Sequence, residues 1–295
     1  MALSIANVSA VGGDLRFGIC TDQNLPWATL VERWKLYEEL GFDSVWDCDH
    51  YVQPSRPHGP YYEGWTLLAG LAAVTSRIRI GVLVSCNTFR HPALLAKEAV
   101  TVDHISNGRL ELGLGAGWYE PEHTMYGIEF PPARELVERF EEAVQIVDAL
   151  LRNEVVTFEG KHYTLRNAEF RPGPIQKPRP PLTIGAHGPR MLKLCARYAD
   201  SWNSFGSVEE IRHRNEVLDE KCAEVGRDPR EIVRSLYLWA AKADADPWRS
   251  LDAFQNEIGR YREAGINEFI IDAPSDQQVP VLERVAVEVI PALRR

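Results

Sequence analysis

Eight short apolar runs, each followed by a stretch whose apolar residues recur at helical spacing, constrain the fold of this 295-residue chain more than any other feature. The runs are Arg16 to Cys20, Ser44 to Cys48, Arg77 to Val84, Arg109 into the glycines before Tyr119, Leu182 to Ala186, Ser201 to Ser204, Ile232 to Ala240 and Glu268 to Asp272. Helical spacing is predicted for Trp27 to Leu40, where Leu30, Val31, Trp34 and Tyr37 share a face and Gly41 supplies the stop. It recurs over Glu63 to Thr75, then over Ala93 to Ile105, with Pro92 where a first turn tolerates it. Ala133 to Leu151 gives the clearest stripe, and Pro189 to Tyr198, Val208 to Val225, Arg249 to Ala264 and Val279 to Leu293 complete the series. Strands that alternate with helices lie parallel, and eight such units predict an α/β fold, a (β/α)8 TIM barrel. A doubly wound open sheet usually has fewer units and carries its glycine-rich turn after the first strand, whereas here the glycines follow the fourth.

Charge and cysteine usage narrow the function classes. The formal net charge of -9, with no block of Lys or Arg, argues against nucleic acid or an anionic membrane surface as a partner. Five cysteines, odd in number and without a CxxC pair, fit a reduced cytoplasmic interior better than a disulfide framework or a zinc site. Met1 to Gly13 lacks the charged and apolar regions of a signal peptide, and no apolar run approaches a membrane span. The expectation is a soluble, cytoplasmic, single-domain protein over 1–295, with 1–13 as an N-terminal tail. One stretch breaks the rhythm: two alternating runs flank Glu159-Gly160-Lys161, a hairpin signal, and a Pro-rich linker from Arg171 to Pro181 follows. Residues 154–181 therefore read as an insertion after the fourth strand.

Barrel active sites are built from the loops that follow the strands. These loops carry Thr21-Asp22-Gln23, Asp47-Cys48-Asp49-His50, Ser85-Cys86-Asn87, Gly115-Ala-Gly-Trp-Tyr119, Gly185-Ala-His-Gly188, Asn203-Ser204 and Asp272. Polar and aromatic groups spaced by small residues suit a small-molecule pocket. Asp49 beside His50 can orient the ring for proton transfer, though both residue types are also ordinary in a loop before Pro54. Gly185 to Arg190 opens a helix, so it is either an anion site at a helix N-terminus or an ordinary strand-to-helix turn. Gly113, Gly115 and Gly117 leave one side of the fourth strand bare, which fits either a flat ligand against the backbone or tight strand packing at a barrel corner. No His-x-His ends the first strand, and no Gly-x-Ser-x-Gly elbow or Walker loop is present, so no metal is expected.

Gly41-Phe-Asp-Ser-Val-Trp46 with Asp49-His50, Arg77-Ile-Arg-Ile-Gly81 leading to His91-Pro-Ala, and Thr101 through Trp118 together resemble the luciferase-like monooxygenase superfamily. Phe158-Glu-Gly-Lys-His-Tyr163 and Ala196-Arg-Tyr-Ala-Asp-Ser-Trp-Asn203 match as well, so the resemblance runs from Arg16 over nearly the whole chain. Glu63-Gly-Trp-Thr-Leu-Leu68 and Trp118-Tyr-Glu-Pro-Glu-His123 are similar to the branch of coenzyme F420-dependent oxidoreductases.

The resemblance implies a deazaflavin, coenzyme F420, or alternatively FMN, across the C-terminal ends of the strands. It implies a third-strand bulge under the ring, often with a non-prolyl cis peptide, at Leu83 and Val84, with Ser85, Cys86 and Asn87 following. Asp49 and His50 match positions at the ring head, and His50 is the implied proton donor or ring polariser. Ala186, His187, Gly188, Pro189 and Arg190 match the phosphate-binding turn, and Gly115, Ala116 and Gly117 the backbone close to the ring. Trp118, Tyr119 and Asn203 border the implied substrate pocket. Sugar-phosphate dehydrogenases of this superfamily carry a catalytic glutamate where this chain has Trp118, which points to a more apolar or planar small-molecule substrate. A homodimer is a further implication. FMN would instead imply two-component monooxygenation with a separate reductase, and a non-catalytic flavin-binding barrel is the reading from a different class.

Overall fold

A computed structural model describes residues 15–242 and 245–295; the tail expected at 1–13, and the reading of it as no signal peptide, lie outside the described residues. Eight parallel positions form the barrel wall. They are β1 (Arg16–Cys20), β2 (Ser44–Asp47), β3 (Arg79–Val82) with its continuation β4 (Ser85–Cys86), and β5 (Leu110–Gly115). After the antiparallel hairpin β6 (Val155–Glu159) and β7 (Thr164–Glu169) come β8 (Leu182–Gly185), β9 (Ser201–Ser204), β10 (Val233–Leu238) and β11 (Glu268–Asp272). Pairing of Ile80 with Leu110 joins β3 to β5 and closes the sheet. The predicted TIM barrel is therefore the observed fold.

The outer ring follows the predicted helices closely: α1 (Trp27–Glu39), α2 (Gly64–Val74) and α3 (Pro92–Ile105) cover the first strands. Two features of the next connection differ from expectation. The strand expected to run unbroken to Val84 is interrupted at Leu83–Val84, which is a cis peptide. A short helix, α4 (Glu120–Tyr126), precedes the long α5 (Ala133–Arg152). Its seven residues offer no apolar stripe, since Met125 and Tyr126 are exposed, and Gly127 at φ +67° ends it.

The hairpin lies beyond α5. Glu142 on α5 holds its turn by accepting from the N–H groups of Lys161, His162 and Tyr163 at 2.7, 2.9 and 3.0 Å. The remaining helices are α6 (Pro189–Tyr198), α7 (Val208–Val225) and α8 (Leu251–Arg262). The last predicted helix divides into α9 (Val279–Arg284), a π turn (Val285–Val289) and α10 (Ile290–Leu293). Pro291 lacks the N–H that Val287 would accept in a regular helix, which accounts for the widened turn.

The strands start in a buried charge network. Glu111 and Glu268 are enclosed, and Arg16 bridges them, 3.2 Å from Glu268, with Arg79 also on Glu111. Such a constellation at the N-terminal ends serves stability, and the opposite end is left for chemistry.

Asp47, at the end of β2, is fully buried, and neither carboxylate oxygen has a hydrogen-bond partner among the described residues. Burial, with the Cys20, Asp49 and Glu63 charges adding to it, pushes its carboxyl well above the usual range. Because the folded pKa is raised, the fold binds a proton that the unfolded chain releases near about pH 4, and stability falls as pH rises above that value. Asp47→Asn is expected to flatten the decline of melting temperature between about pH 5 and 8. A variant with the wild-type pH slope would contradict this assignment.

Candidate active site

The bare side of the glycine strand is filled by the neighbouring strand. A Cβ on Gly113 would lie 2.0 Å from the Val82 carbonyl oxygen and 3.1 Å from Val84 Cγ1. One on Gly115 would lie 2.5 Å from Val84 Cγ2, and one on Gly185 3.1 Å from the same methyl. Gly117, at φ +95°, would meet Cys86 Sγ and Thr88 Oγ1 at 3.0 Å. Of the two readings of these glycines, close strand packing is what the structure displays. The third-strand bulge is seated in the glycine trough, and this seating lets Leu83 and Val84 face inward.

They face a cavity of about 660 Å³ at the C-terminal ends of the strands. Of the sequence-selected residues, Asp49, His50, Leu83, Val84, Cys86, Gly115, Ala116, Gly117, Trp118, Tyr119, Ala186, His187, Gly188 and Asn203 line it. Ser85, Asn87, Pro189 and Arg190 lie outside its lining. The reasons are local. Ser85 Oγ accepts from Trp65 Nε1 at 3.1 Å, and Asn87 Nδ2 points to the Tyr163 hydroxyl at 3.4 Å. Pro189 and Arg190 are already in the first turn of α6, with Arg190 exposed.

Asp49 and His50 are adjacent in sequence but have separate partners. Asp49 accepts from the Cys86 N–H at 2.7 Å and from both terminal nitrogens of Arg90, so it fixes the bulge segment and does not orient the histidine. His50 turns its Nδ1 to Glu122 Oε1 at 2.6 Å, and the Tyr51 N–H donates to Glu122 Oε2 at 3.0 Å. Glu122 sits on α4, which His123 anchors through Thr88 Oγ1 at 2.6 Å and the Tyr119 carbonyl at 2.9 Å.

An arc of rings runs from this pair along the cavity. His50 meets Trp118 at 5.8 Å between centroids, Trp118 meets Trp239 at 6.1 Å, Trp239 meets Phe205 at 5.5 Å, and Phe205 meets His187 at 4.5 Å. Trp118, 56% exposed, stands at the mouth. At the far end, helix geometry leaves the amides of Arg190 and Met191 without carbonyl acceptors inside α6, and a Cβ on Gly188 would meet nothing within 4 Å. Loss of solvent around the His187 ring, and then the Arg214 charge, push its imidazole down to about 4, leaving it neutral near pH 7. Arg214 is anchored to the Phe205 carbonyl at 2.6 Å and Ser204 Oγ at 3.1 Å.

Several cavity residues escaped the sequence reading. Tyr237 and Trp239 alternate along β10 and its exit, so strand parity could have found them. Tyr237 donates its hydroxyl hydrogen bond to Asp272, a strand-end residue whose carboxyl burial pushes up. Thr21, already named among the strand-end residues, also lines the cavity, and its Oγ1 is buried without a partner among the described residues. Glu122 stood in the sequence only within the Trp118 to His123 stretch that resembles the F420-dependent branch, and nothing local marked it as the partner of His50.

Comparison with known proteins adds kinship to this geometry. An F420-dependent glucose-6-phosphate dehydrogenase from Microbacterium testaceum (strain StLB037) is 34% identical over 226 residues, 74% of this chain and 66% of that protein. A phthiodiolone/phenolphthiodiolone dimycocerosates ketoreductase from Mycobacterium bovis (strain BCG / Pasteur 1173P2) is 36% identical over 248 residues, 75% of this chain and 64% of that protein. The matched stretches thus span just under two thirds of these relatives' length. An F420-dependent secondary alcohol dehydrogenase solved with an F420-acetone adduct superimposes with a TM-score of 0.83 at 22% identity, over 96% of this chain and 100% of its own. The F420-dependent tetrahydromethanopterin reductase of Methanopyrus kandleri gives 0.81 at 21%, over 95% and 99%. At such identities the likeness speaks for the fold. The luciferase-like monooxygenase profile matches residues 13–274, and the chain belongs to that family.

Proposed function

We propose that the protein is an oxidoreductase that binds coenzyme F420 and transfers hydride between it and a small organic alcohol or carbonyl compound. The observation that carries the reading is the placement of the His50–Glu122 pair in the same cavity as the inward-facing Leu83–Val84 bulge. Relatives named as F420-dependent, at 34% identity, support the choice of coenzyme.

The residues fit such a group. Val84 in its glycine trough offers an apolar platform for a planar ring, and the orphaned Thr21 hydroxyl has capacity for a polar edge. The open backbone at Gly188 and the N-terminus of α6, with Arg214 behind it, suit a phosphate. When bound, the deazaflavin supplies or takes the hydride. The chain positions the two reactants, shields them with the aromatic arc, and handles one proton at His50 Nε2. An alcohol must lose a hydroxyl proton as its carbon loses hydride, and a carbonyl must gain one. A nitrogen facing the cavity can do either.

Substrate polarity follows from the lining. No lysine borders the cavity among the described residues, and Arg56 at its rim pairs with Asp22 at 3.0 Å. By the family resemblance, Trp118 stands where sugar-phosphate dehydrogenases carry their acid. A phosphorylated sugar would find little to bind, whereas an alkyl or aryl group would contact Trp118, Tyr119 and Trp239. The test is absorbance of F420 or its reduced form mixed with the protein and a panel of secondary alcohols, ketones and glucose 6-phosphate. Turnover with apolar alcohols or ketones is expected. Preference for glucose 6-phosphate would overturn the substrate assignment, and inertness toward the whole panel the alcohol and carbonyl chemistry.

A further inference from the structure

The geometry points to Glu122 as a positioning residue that sets which nitrogen of His50 carries hydrogen. The consequence for turnover rests on the F420 oxidoreductase reading above; the structural assignment does not.

A carboxylate only accepts hydrogen bonds. Glu122 is 1% exposed, and its two oxygens face two groups, His50 Nδ1 at 2.6 Å and the Tyr51 N–H at 3.0 Å. Tyr51 N can only donate, so Oε2 is committed to it. Oε1 then demands hydrogen on Nδ1. In the neutral ring this leaves Nε2 as a bare lone pair, and Nε2 has no protein partner among the described residues of a ring that lines the cavity. The tautomer is thereby fixed in the form that accepts a proton from a bound alcohol. After that transfer the ring still has Glu122 Oε1 at hydrogen-bond distance from Nδ1 to hold its orientation. The arrangement resembles the way a carboxylate fixes a histidine in hydrolytic and metal sites, where the partner's loss costs tenfold or more.

Two further observations show that the position is built. Glu122 has no Lys or Arg partner among the described residues, so nothing but His50 and one amide accounts for a buried acid there. The helix that carries it is pinned on its next residue, where His123 uses both ring nitrogens on Thr88 and Tyr119. The edge of the His50 ring is bounded by Trp118 and Tyr119, at 85° and 81° to it, which restricts rotation away from Glu122.

Glu122→Gln makes a sharp test because the amide has one acceptor and one donor end. The Tyr51 N–H draws the amide oxygen, so the NH2 group turns to Nδ1 and donates to it. The hydrogen on His50 then moves to Nε2, and the proton acceptor is lost from the cavity. The measurement is a long-range 1H–15N correlation spectrum of protein labelled with 15N-histidine, without coenzyme, at a pH where the ring is neutral. His50→Asn assigns its signals among the eight histidines. Wild type is expected to show hydrogen on Nδ1, and Glu122→Gln hydrogen on Nε2, with the rate of F420-linked alcohol oxidation down about 10- to 100-fold. A wild-type ring that carries hydrogen on Nε2 overturns the assignment even if the variant does not fold. A folded variant whose tautomer is unchanged overturns it as well. Failure of F420 to bind would sink the oxidoreductase reading and leave this spectrum untouched.

Discussion

His50→Asn is expected to slow F420-linked turnover of an accepted alcohol or ketone by about 10²- to 10⁴-fold, with coenzyme affinity close to wild type. The range corresponds to about 3–5 kcal/mol of transition-state stabilisation. Asparagine keeps a polar group near Glu122 but cannot exchange a proton at the cavity. The ring's other neighbours, Trp118 and Tyr119, remain to bind the substrate, so the loss should fall on kcat more than on KM. Steady-state kinetics with one alcohol at several concentrations separates the two. A variant within about twofold of wild-type kcat would remove His50 from proton transfer.

Gly113→Ala is expected to cost about 3 kcal/mol or more, a fall in melting temperature of roughly 5–10 °C. The new Cβ would lie 2.0 Å from the Val82 carbonyl oxygen, which is backbone and cannot swing aside as a side chain would. The strand that carries it is held by the Leu83 N–H to Asp47 carbonyl bond at 2.7 Å on one side and by the pairing of Ser85 and Cys86 with β5 on the other. Relief would displace Leu83 and Val84, so the platform for the ring should suffer along with stability. Gly188→Ala is the control: its Cβ meets nothing within 4 Å and its φ of -87° suits any residue, so its melting temperature should match wild type. Equal melting temperatures for all three proteins would contradict the packing described for the glycine strand.

Much of the scaffold is legible in the chain because its signals are local. Ser207 with Glu210 forms a capping box and Gly226 an αL stop, so Val208–Val225 has the boundaries its sequence predicts. The site is less legible, because its decisive contacts join residues far apart. Glu122 lies 72 positions from His50, on a helix too short and too polar to register as one. Asp49 shows the reverse problem: adjacency to His50 predicts a pair, and the fold gives its carboxylate to Arg90, 41 positions on. The three glycines of the fourth strand posed a choice that needed the neighbour's side chain, Val84, to resolve. The resemblance located Leu83 and Val84 correctly at a non-prolyl cis peptide, a feature no propensity argument could have raised.

Binding of one coenzyme in one cavity is the core of the proposed function, and direct titration tests it. Purified protein would be titrated separately with F420 and with FMN, following the absorbance or fluorescence of each, with Gly113→Ala in parallel. Saturable binding of F420, weaker binding of FMN and impaired F420 binding by the variant are the expected results. Tight binding of FMN in preference to F420, or of neither, would contradict the account.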